Sequence, residues 1–150
     1  MNLLLMRHGD ANITRPDRDR ALSTSGAIQV RLSAASLLKT GEPISQLIAS
    51  PLRRAQETAS LMANLTGYND ELMTWDELAP NGDLDLVIIA LLRSGYSNPL
   101  LVTHQPFVSR FIQRLTGELV MMDTASIVSI TLDPHRPESS KLEWLIQARR

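Results

Sequence analysis

The chain has 150 residues, of which 43% are hydrophobic, and its formal net charge at pH 7 is −1. This composition excludes a disordered chain, a membrane-spanning chain and a general attraction to nucleic acid, while the absence of cysteine excludes disulfides and a thiol nucleophile. Residues 1–6 lack the basic start of a signal peptide, so we expect a single cytoplasmic domain over residues 1–150.

The first predicted element is a short apolar strand, residues 2–6, that ends at a cation, an imidazole and a glycine. Open α/β sheets bind ligands at the carboxyl ends of their strands. Arg7 and His8 therefore stand where an imidazole nucleophile would face an anion, and Gly9 allows a sharp turn and a close approach. Taken alone, the tripeptide is equally compatible with ordinary residues at a strand end.

A polar loop and a helix are predicted next. Residues 10–20 carry three arginines interleaved with aspartates, and we expect these charges to face solvent. A helix follows from Ser23 to about Leu38, and Gly41 marks its end.

A second strand, residues 47–49, is followed by a helix over residues 51–65. Pro51 suits the first helical position, and Ser50 suits the N-cap. Arg54 lies in the first turn, where the helix dipole favours anions. Its presence there indicates a bound anion or a carboxylate partner.

The remaining predicted elements continue the alternation of strands and helices. They are a strand over 71–74, a helix over 83–93, a strand over 99–103, a helix over 107–115, and hairpin strands over 126–132 and 141–147. The strand over 99–103 delivers His104 to the edge of the sheet that carries Arg7, His8 and Arg54.

Six motifs occur in order along nearly the whole chain. They are Arg7-His8-Gly9-Asp10-Ala11, Ala21-Leu22-Ser23-x-x-Gly26, Ser50-Pro51-x-x-Arg54-Ala55-x-x-Thr58, Glu77-Leu78-x-Pro80-x-Gly82-Asp83, Val102-Thr103-His104-Gln105-Pro106 and Thr124-Ala125-Ser126. In this combination the chain resembles the histidine phosphatase superfamily, and it is most similar to the small bacterial phosphohistidine phosphatases of the SixA type. The resemblance implies a three-layer α/β fold of the phosphoglycerate mutase-like class, with a mostly parallel central sheet flanked by helices and no cap subdomain.

The resemblance also implies roles for four side chains. His8 is the phosphoryl acceptor, while Arg7, Arg54 and His104 line the phosphate pocket, and no cofactor is implied. A zinc site built on His8 and His104 with Asp10 is disfavoured, because two arginines nearby would repel the cation.

Larger members of the superfamily bring an acidic proton donor from the segment before the second histidine. The candidates here are Glu77 and Asp83, with Asp76 beside them. For Glu77, a structural role at the start of a helix is the alternative. A phosphohistidine substrate reduces the need for this acid, since an imidazole protonated on its distal nitrogen leaves as a neutral molecule.

The predicted function is metal-independent hydrolysis of protein phosphohistidine through a phosphohistidine enzyme intermediate. An uncapped site admits a histidine displayed on a protein, such as a histidine-phosphotransfer domain, and would enclose a small substrate poorly. Arg15, Arg18 or the segment over residues 77–83 is expected to contact that protein. The alternatives are a broad small-molecule phosphomonoesterase of the same superfamily and a non-enzymatic phosphate-binding regulator.

Overall fold

The computed structural model describes residues 1–148, so the last two positions of the predicted domain lie outside the described residues. Within these residues, strands and α-helices alternate as far as the fourth helix, and two further strands follow, which gives six strands and four α-helices. The strands are β1 Asn2–Arg7, β2 Gln46–Ala49, β3 Leu72–Thr74, β4 Pro99–Thr103, β5 Ile127–Thr131 and β6 Lys141–Ile146. The helices are α1 Thr24–Thr40, α2 Arg53–Thr66, α3 Leu84–Ser94 and α4 Phe107–Thr116. Over the described residues, no helix is long and apolar enough to cross a membrane.

The strands form one sheet in the order β3-β2-β4-β1-β5-β6. The first four strands of this order are parallel to one another, whereas β5 is antiparallel to both β1 and β6. This arrangement confirms the predicted mostly parallel sheet and the predicted hairpin at the end. It also brings the carboxyl ends of β1, β2 and β4 side by side.

Helices cover both faces of the sheet, because successive side chains of a strand point to opposite faces. Leu3 and Leu5 of β1 pack in the core formed with α3 and α4, whereas Leu4 and Met6 pack in the core formed with α1 and α2. All four side chains are fully buried, and each burial stabilises the fold by about 1.5–3 kcal/mol. The predicted three-layer architecture is therefore confirmed.

The polypeptide between α2 and α3 is short. It holds only β3 and a single 3-10 turn over Asp76–Leu78, so the carboxyl edge of the sheet has no helical roof from this segment. Thr103 at the end of β4 donates a hydrogen bond of 2.6 Å to the Leu78 carbonyl, which fixes the turn beside that edge.

The end of β1 and the start of α1 approach each other too closely for side chains. A Cβ atom on Gly9 would lie 2.9 Å from the Gly26 carbonyl oxygen, and one on Gly26 would lie 2.1 Å from that of Asp10. Ser23 caps α1 by accepting the Gly26 N–H at 2.9 Å, as its position in the sequence predicts. These two glycines therefore allow the Arg7-His8-Gly9 motif to lie close against α1.

The start of α2 differs from the prediction. The helix begins at Arg53 with Leu52 as its N-cap, so Pro51 precedes the helix and Ser50 does not cap it. The Ser50 hydroxyl accepts the Leu52 N–H at 3.2 Å and shares a hydrogen bond of 2.7 Å with His104 Nε2. The Ser50 hydroxyl therefore makes one hydrogen bond within the turn and one to His104, which only the tertiary structure brings beside it.

Candidate active site

The backbone of His8 is fixed on both sides at the end of β1. Its N–H donates to the Thr103 carbonyl at 3.0 Å, and its carbonyl accepts the Ala125 N–H, also at 3.0 Å. Ala125 adopts a left-handed conformation with φ of 62°, which costs a residue with a Cβ roughly 1–2 kcal/mol. The segment before β5 therefore maintains a strained residue where it contacts His8.

The His8 imidazole is held in one tautomer. Its Nδ1 lies 2.7 Å from the Gly9 carbonyl oxygen. Because a carbonyl oxygen only accepts, Nδ1 carries the hydrogen and Nε2 carries the lone pair. Burial, with contributions from Arg54 and Arg7, lowers the pKa of His8 from 6.5 to about 4. The ring is therefore neutral near pH 7, with a basic lone pair on Nε2.

Arg54 reaches the His8 imidazole from the first turn of α2. Its Nε donates to His8 Nε2 at 3.3 Å, and the residue is only 6% exposed. The other edge of its guanidinium donates to Asp17, from Nη1 to the carbonyl at 3.0 Å and from Nη2 to the carboxylate at 3.3 Å. Asp17 is thus the carboxylate partner that an arginine at a helix N-terminus predicts.

Thr58 makes hydrogen bonds both to Arg54 and to Gly9 of the Arg7-His8-Gly9 motif. Its hydroxyl donates to the Arg54 carbonyl at 2.8 Å and accepts the Gly9 N–H at 3.1 Å. The threonine lies one helical turn after the arginine, so both act on the end of β1 from the same face of α2. This arrangement gives a physical reason for their spacing in the motif.

His104 packs against His8, with ring centroids 5.0 Å apart. Burial, followed by the charges of neighbouring groups including His8 and Arg54, lowers the pKa of His104 from 6.5 to about 2. Its Nε2 is occupied by Ser50, whereas its Nδ1 is buried and has no hydrogen-bond partner among residues 1–148. The second imidazole therefore keeps one polar atom unpaired inside the cluster that His104 forms with Arg7, His8 and Arg54.

Arg7 precedes His8 at the end of β1. Its Nη1 donates to the Met122 carbonyl at 2.9 Å, while its buried Nε has no hydrogen-bond partner within the described chain. Burial lowers the pKa of Arg7, and Asp123 and Asp10 oppose the shift. Arg7 in turn lowers the pKa of both imidazoles, so its positive charge acts across the cluster.

The two candidate proton donors lie before α3, Asp83 at its N-cap and Glu77 in the 3-10 turn over Asp76–Leu78. Asp83 caps this helix, because its carboxylate accepts the N–H groups of Asp85 at 2.9 Å and Leu86 at 3.3 Å. Glu77 accepts the Asp83 N–H at 3.4 Å. Over residues 1–148 neither carboxylate has a hydrogen bond or ion pair to His8 or Arg54. Their role as acids stays a prediction.

Sequence reasoning missed two residues of the cluster. Asp17 was expected to face solvent with the other charges of residues 10–20, and its side chain is indeed 63% exposed. Its contact with Arg54 was missed, because no local pattern distinguishes it from Asp19. Ser50 was assigned to a helix cap, although its position directly after β2 places it at the same edge as the imidazoles. Arg53, one position from Arg54, is exposed and pairs with Glu57 at 3.1 Å.

The cluster contains cations and neutral imidazoles, a donor set suited to a phosphoryl group. Within residues 1–148 there is no group of three or more His, Cys, Asp or Glu side chains placed to hold a metal ion. Residues 3–80 match the family model of the histidine phosphatase superfamily (branch 1). The chain belongs to this superfamily.

The chain is similar in sequence to SixA proteins from two organisms and similar in structure to a solved SixA. The phosphohistidine phosphatase SixA of Escherichia coli K12 is 33% identical over 139 residues, which cover 89% of this chain and 86% of that protein. A SixA homolog from Haemophilus influenzae is 26% identical and covers 92% of each chain. The structure of the protein histidine phosphatase SixA complexed with tungstate superposes with a TM-score of 0.91, at 30% identity, covering 99% of this chain and 97% of that one.

Proposed function

We propose that this protein is a phosphatase that removes the phosphoryl group from a phosphohistidine-bearing protein through a covalent intermediate on His8. The observation that carries the proposal is the state of His8. Its Nδ1 is bound to the Gly9 carbonyl at 2.7 Å, and its Nε2 lone pair lies 3.3 Å from a buried guanidinium. An anion attracted to Arg54 is thereby placed against the nucleophilic nitrogen.

In the first step His8 Nε2 attacks phosphorus, and the bond from phosphorus to the substrate nitrogen breaks. The electron pair of that bond stays on the substrate imidazole, which leaves neutral when its distal nitrogen is protonated. The departure therefore requires little acid, consistent with the engagement of Asp83 and Glu77 before α3.

The surrounding groups stabilise charge on the equatorial phosphoryl oxygens, which is the main task of a protein in phosphoryl transfer. Arg54 directs Nε toward His8, and Arg7 retains an unpaired Nε. When the Ser50 hydroxyl donates to His104 Nε2, the His104 hydrogen lies on Nδ1, the atom that has no partner. A phosphoryl group would supply acceptors for these donors.

In the second step water attacks phosphorus on His8, and the bond from phosphorus to Nε2 breaks. The electron pair returns to Nε2, and both hydrogens of water remain on the released phosphate. The Gly9 carbonyl holds Nδ1–H throughout, so His8 is regenerated in its starting tautomer. Splitting the displacement into two steps is the usual advantage of a covalent intermediate.

Two further observations favour a protein substrate. The short connection between α2 and α3 leaves the site without a helical roof, so a histidine on a folded protein can reach it. The names of the E. coli and H. influenzae relatives also specify phosphohistidine. A histidine-phosphotransfer domain is the specific partner class that we propose.

The test compares substrates on one enzyme preparation at one pH. We expect kcat/KM to decrease from a phosphorylated histidine-phosphotransfer domain to an aryl phosphate and then to a sugar phosphate. Enzyme quenched during turnover should carry an acid-labile, alkali-stable phosphoryl group on His8. Tungstate or vanadate should inhibit, and EDTA should leave activity intact. A sugar phosphate or phosphoglycerate that outperformed every phosphohistidine protein would establish the small-molecule phosphatase instead.

A further inference from the structure

A groove of about 430 Å³ lies beside the cluster, between α4 and the segment over residues 117–123. Its lining includes Arg7, Gln105, Ser109, Arg110, Leu119 and Met121. Arg7 lines this groove and also belongs to the cluster that contains His8, Arg54 and His104. The groove is therefore continuous with the site where a phosphohistidine must enter.

The groove presents apolar side chains to solvent. Leu119 is 73% exposed and Met121 is 71% exposed. Of the large hydrophobic residues in the described chain, only Ile13 is more exposed, and Ile13 lies in the loop whose Asp17 contacts Arg54. Single exposed apolar residues are ordinary, but their concentration in segments that contact the catalytic residues indicates a surface for another macromolecule.

The backbone beneath these side chains is fixed from inside. Ser109 of α4 donates to the Val120 carbonyl at 2.6 Å and accepts a hydrogen bond from Gln105 at 2.7 Å. Arg7 donates to the Met122 carbonyl at 2.9 Å. Leu119 and Met121 alternate with these anchored residues and point outward. A surface ordered before binding loses less conformational entropy on association.

The groove also contains an unpaired cation. Arg110 is exposed on α4, and its side chain has no hydrogen bond or ion pair to any of residues 1–148. A carboxylate on a partner would complement it, mainly by increasing the association rate.

We propose that this groove is the docking surface for the folded protein that carries the phosphohistidine. The partner presents apolar side chains to Leu119 and Met121 and a carboxylate to Arg110, beside the phosphohistidine that reaches His8. The inference rests on the proposed function and assigns the partner contact to a different part of the rim from Arg15, Arg18 and residues 77–83.

The test uses two substrates, a phosphorylated histidine-phosphotransfer domain and p-nitrophenyl phosphate. The double variant Leu119→Gln/Met121→Gln removes the apolar surface without adding charge near the site. We expect kcat/KM for the phosphoprotein to fall on the order of tenfold, mainly through KM, with less than a twofold change for p-nitrophenyl phosphate. Arg110→Gln should give a smaller loss that high salt diminishes.

Controls replace other exposed residues, which lie on a different helix. Leu38→Gln on α1, 55% exposed in the wild type, and Arg31→Gln on the same helix should leave both substrates unaffected. Unchanged phosphoprotein kinetics in the double variant, or an equal loss on both substrates, would overturn the docking surface. Wild-type enzyme that turns over p-nitrophenyl phosphate but no phosphoprotein would instead overturn the proposed function.

Discussion

Strand β1 has a polar cluster at each end, and the two clusters differ in how completely their hydrogen bonds are satisfied. At the amino end, the Glu42 carboxylate accepts from Asn2 Nδ2 at 2.7 Å and from Trp144 Nε1 at 2.9 Å, while Ser129 donates to Asn2 at 2.9 Å. At the carboxyl end, Arg7 Nε and His104 Nδ1 are buried without partners in the described chain.

This difference supports a structural role for the cluster at the amino end and the proposed catalytic role for the cluster at the carboxyl end. Buried polar groups in folded proteins are normally paired, and leaving one unpaired costs roughly 1–3 kcal/mol. The carboxyl end combines such unpaired atoms with a strained Ala125 and two imidazoles that burial keeps neutral. A phosphoryl group would satisfy that end, whereas the Glu42 cluster is already satisfied by the chain itself.

The largest expected effect is loss of the nucleophile. His8→Ala should lower turnover by at least about 10⁴-fold, because the phosphoryl acceptor is gone. The protein should stay folded, because the backbone contacts of residue 8 remain. The free energy of unfolding should fall by about 1–3 kcal/mol at pH 7, because the Gly9 carbonyl and Arg54 Nε lose their partner. Steady-state kinetics and urea denaturation measure the two quantities. Turnover near the wild-type value would refute the assignment of His8.

The second-largest expected effect is the loss of activity on substitution of Arg54, and the neighbouring Arg53 provides the control. Arg54→Ala should reduce kcat/KM by on the order of 10²–10³-fold, because it removes a charge-assisted contact at the reacting centre. Arg54→Lys should recover only part of the activity, since an ammonium lacks the paired donors of a guanidinium. Arg53→Ala is the matched control and should be close to wild type, because Arg53 pairs with Glu57 outside the cluster. Equal losses at both positions would contradict this distinction.

The two buried imidazoles at the carboxyl end of β1 should make the free energy of unfolding depend on pH. The pKa values of His8 and His104 lie below 6.5 in the folded protein, at about 4 and about 2. As pH falls below 6.5 the unfolded chain gains protons that the folded chain does not, so stability declines. At pH 5 the loss should be on the order of 2 kcal/mol per histidine.

Urea denaturation at pH 7 and pH 5 in phosphate-free buffer measures this loss. His8→Gln should reduce the pH dependence by about half, because one of the two buried imidazoles is removed. A wild-type stability that stayed constant between these pH values would show that the imidazoles are not held neutral by burial.

A substitution in the polar cluster at the amino end of β1 should lower stability and leave activity unchanged. Glu42→Ala should destabilise the protein by about 1–2 kcal/mol, because Asn2 and Trp144 lose their acceptor, and it should leave kcat/KM unchanged. Glu71→Ala is a control at an exposed glutamate and should alter neither quantity. A loss of activity in Glu42→Ala without a loss of stability would break the proposed division between the two ends.

The smallest expected effect concerns Asp17, which orients Arg54. Asp17→Ala should reduce kcat by about three- to tenfold, since the carboxylate that holds one edge of the guanidinium is removed. Asp17→Asn should restore most of it, because an amide oxygen still accepts. Asp19→Ala, on the same turn, is the control. An Asp17→Asn variant as impaired as Asp17→Ala would argue against a positioning role.

Much of this molecule was determined by its sequence alone. The apolar runs that end at Arg7-His8-Gly9, Ser50-Pro51 and Thr103-His104 predicted the parallel sheet and the edge where its ligand site forms. These signals are local, because each apolar run and the polar or glycine residues that end it are adjacent in the chain. The order of the motifs was sufficient to predict the superfamily.

Only the tertiary structure decided how the side chains are used. Ser50 was predicted to be a helix cap but bonds His104, and Asp17, although exposed as predicted, also bonds Arg54. In both cases the partner lies 37 or more positions away in the chain, beyond the reach of any local pattern. The groove beside Arg7 likewise exists only because α4 and residues 117–123 pack against the end of β1. Local sequence therefore determined where the reactive residues lie, and long-range packing determined which hydrogen bonds they make.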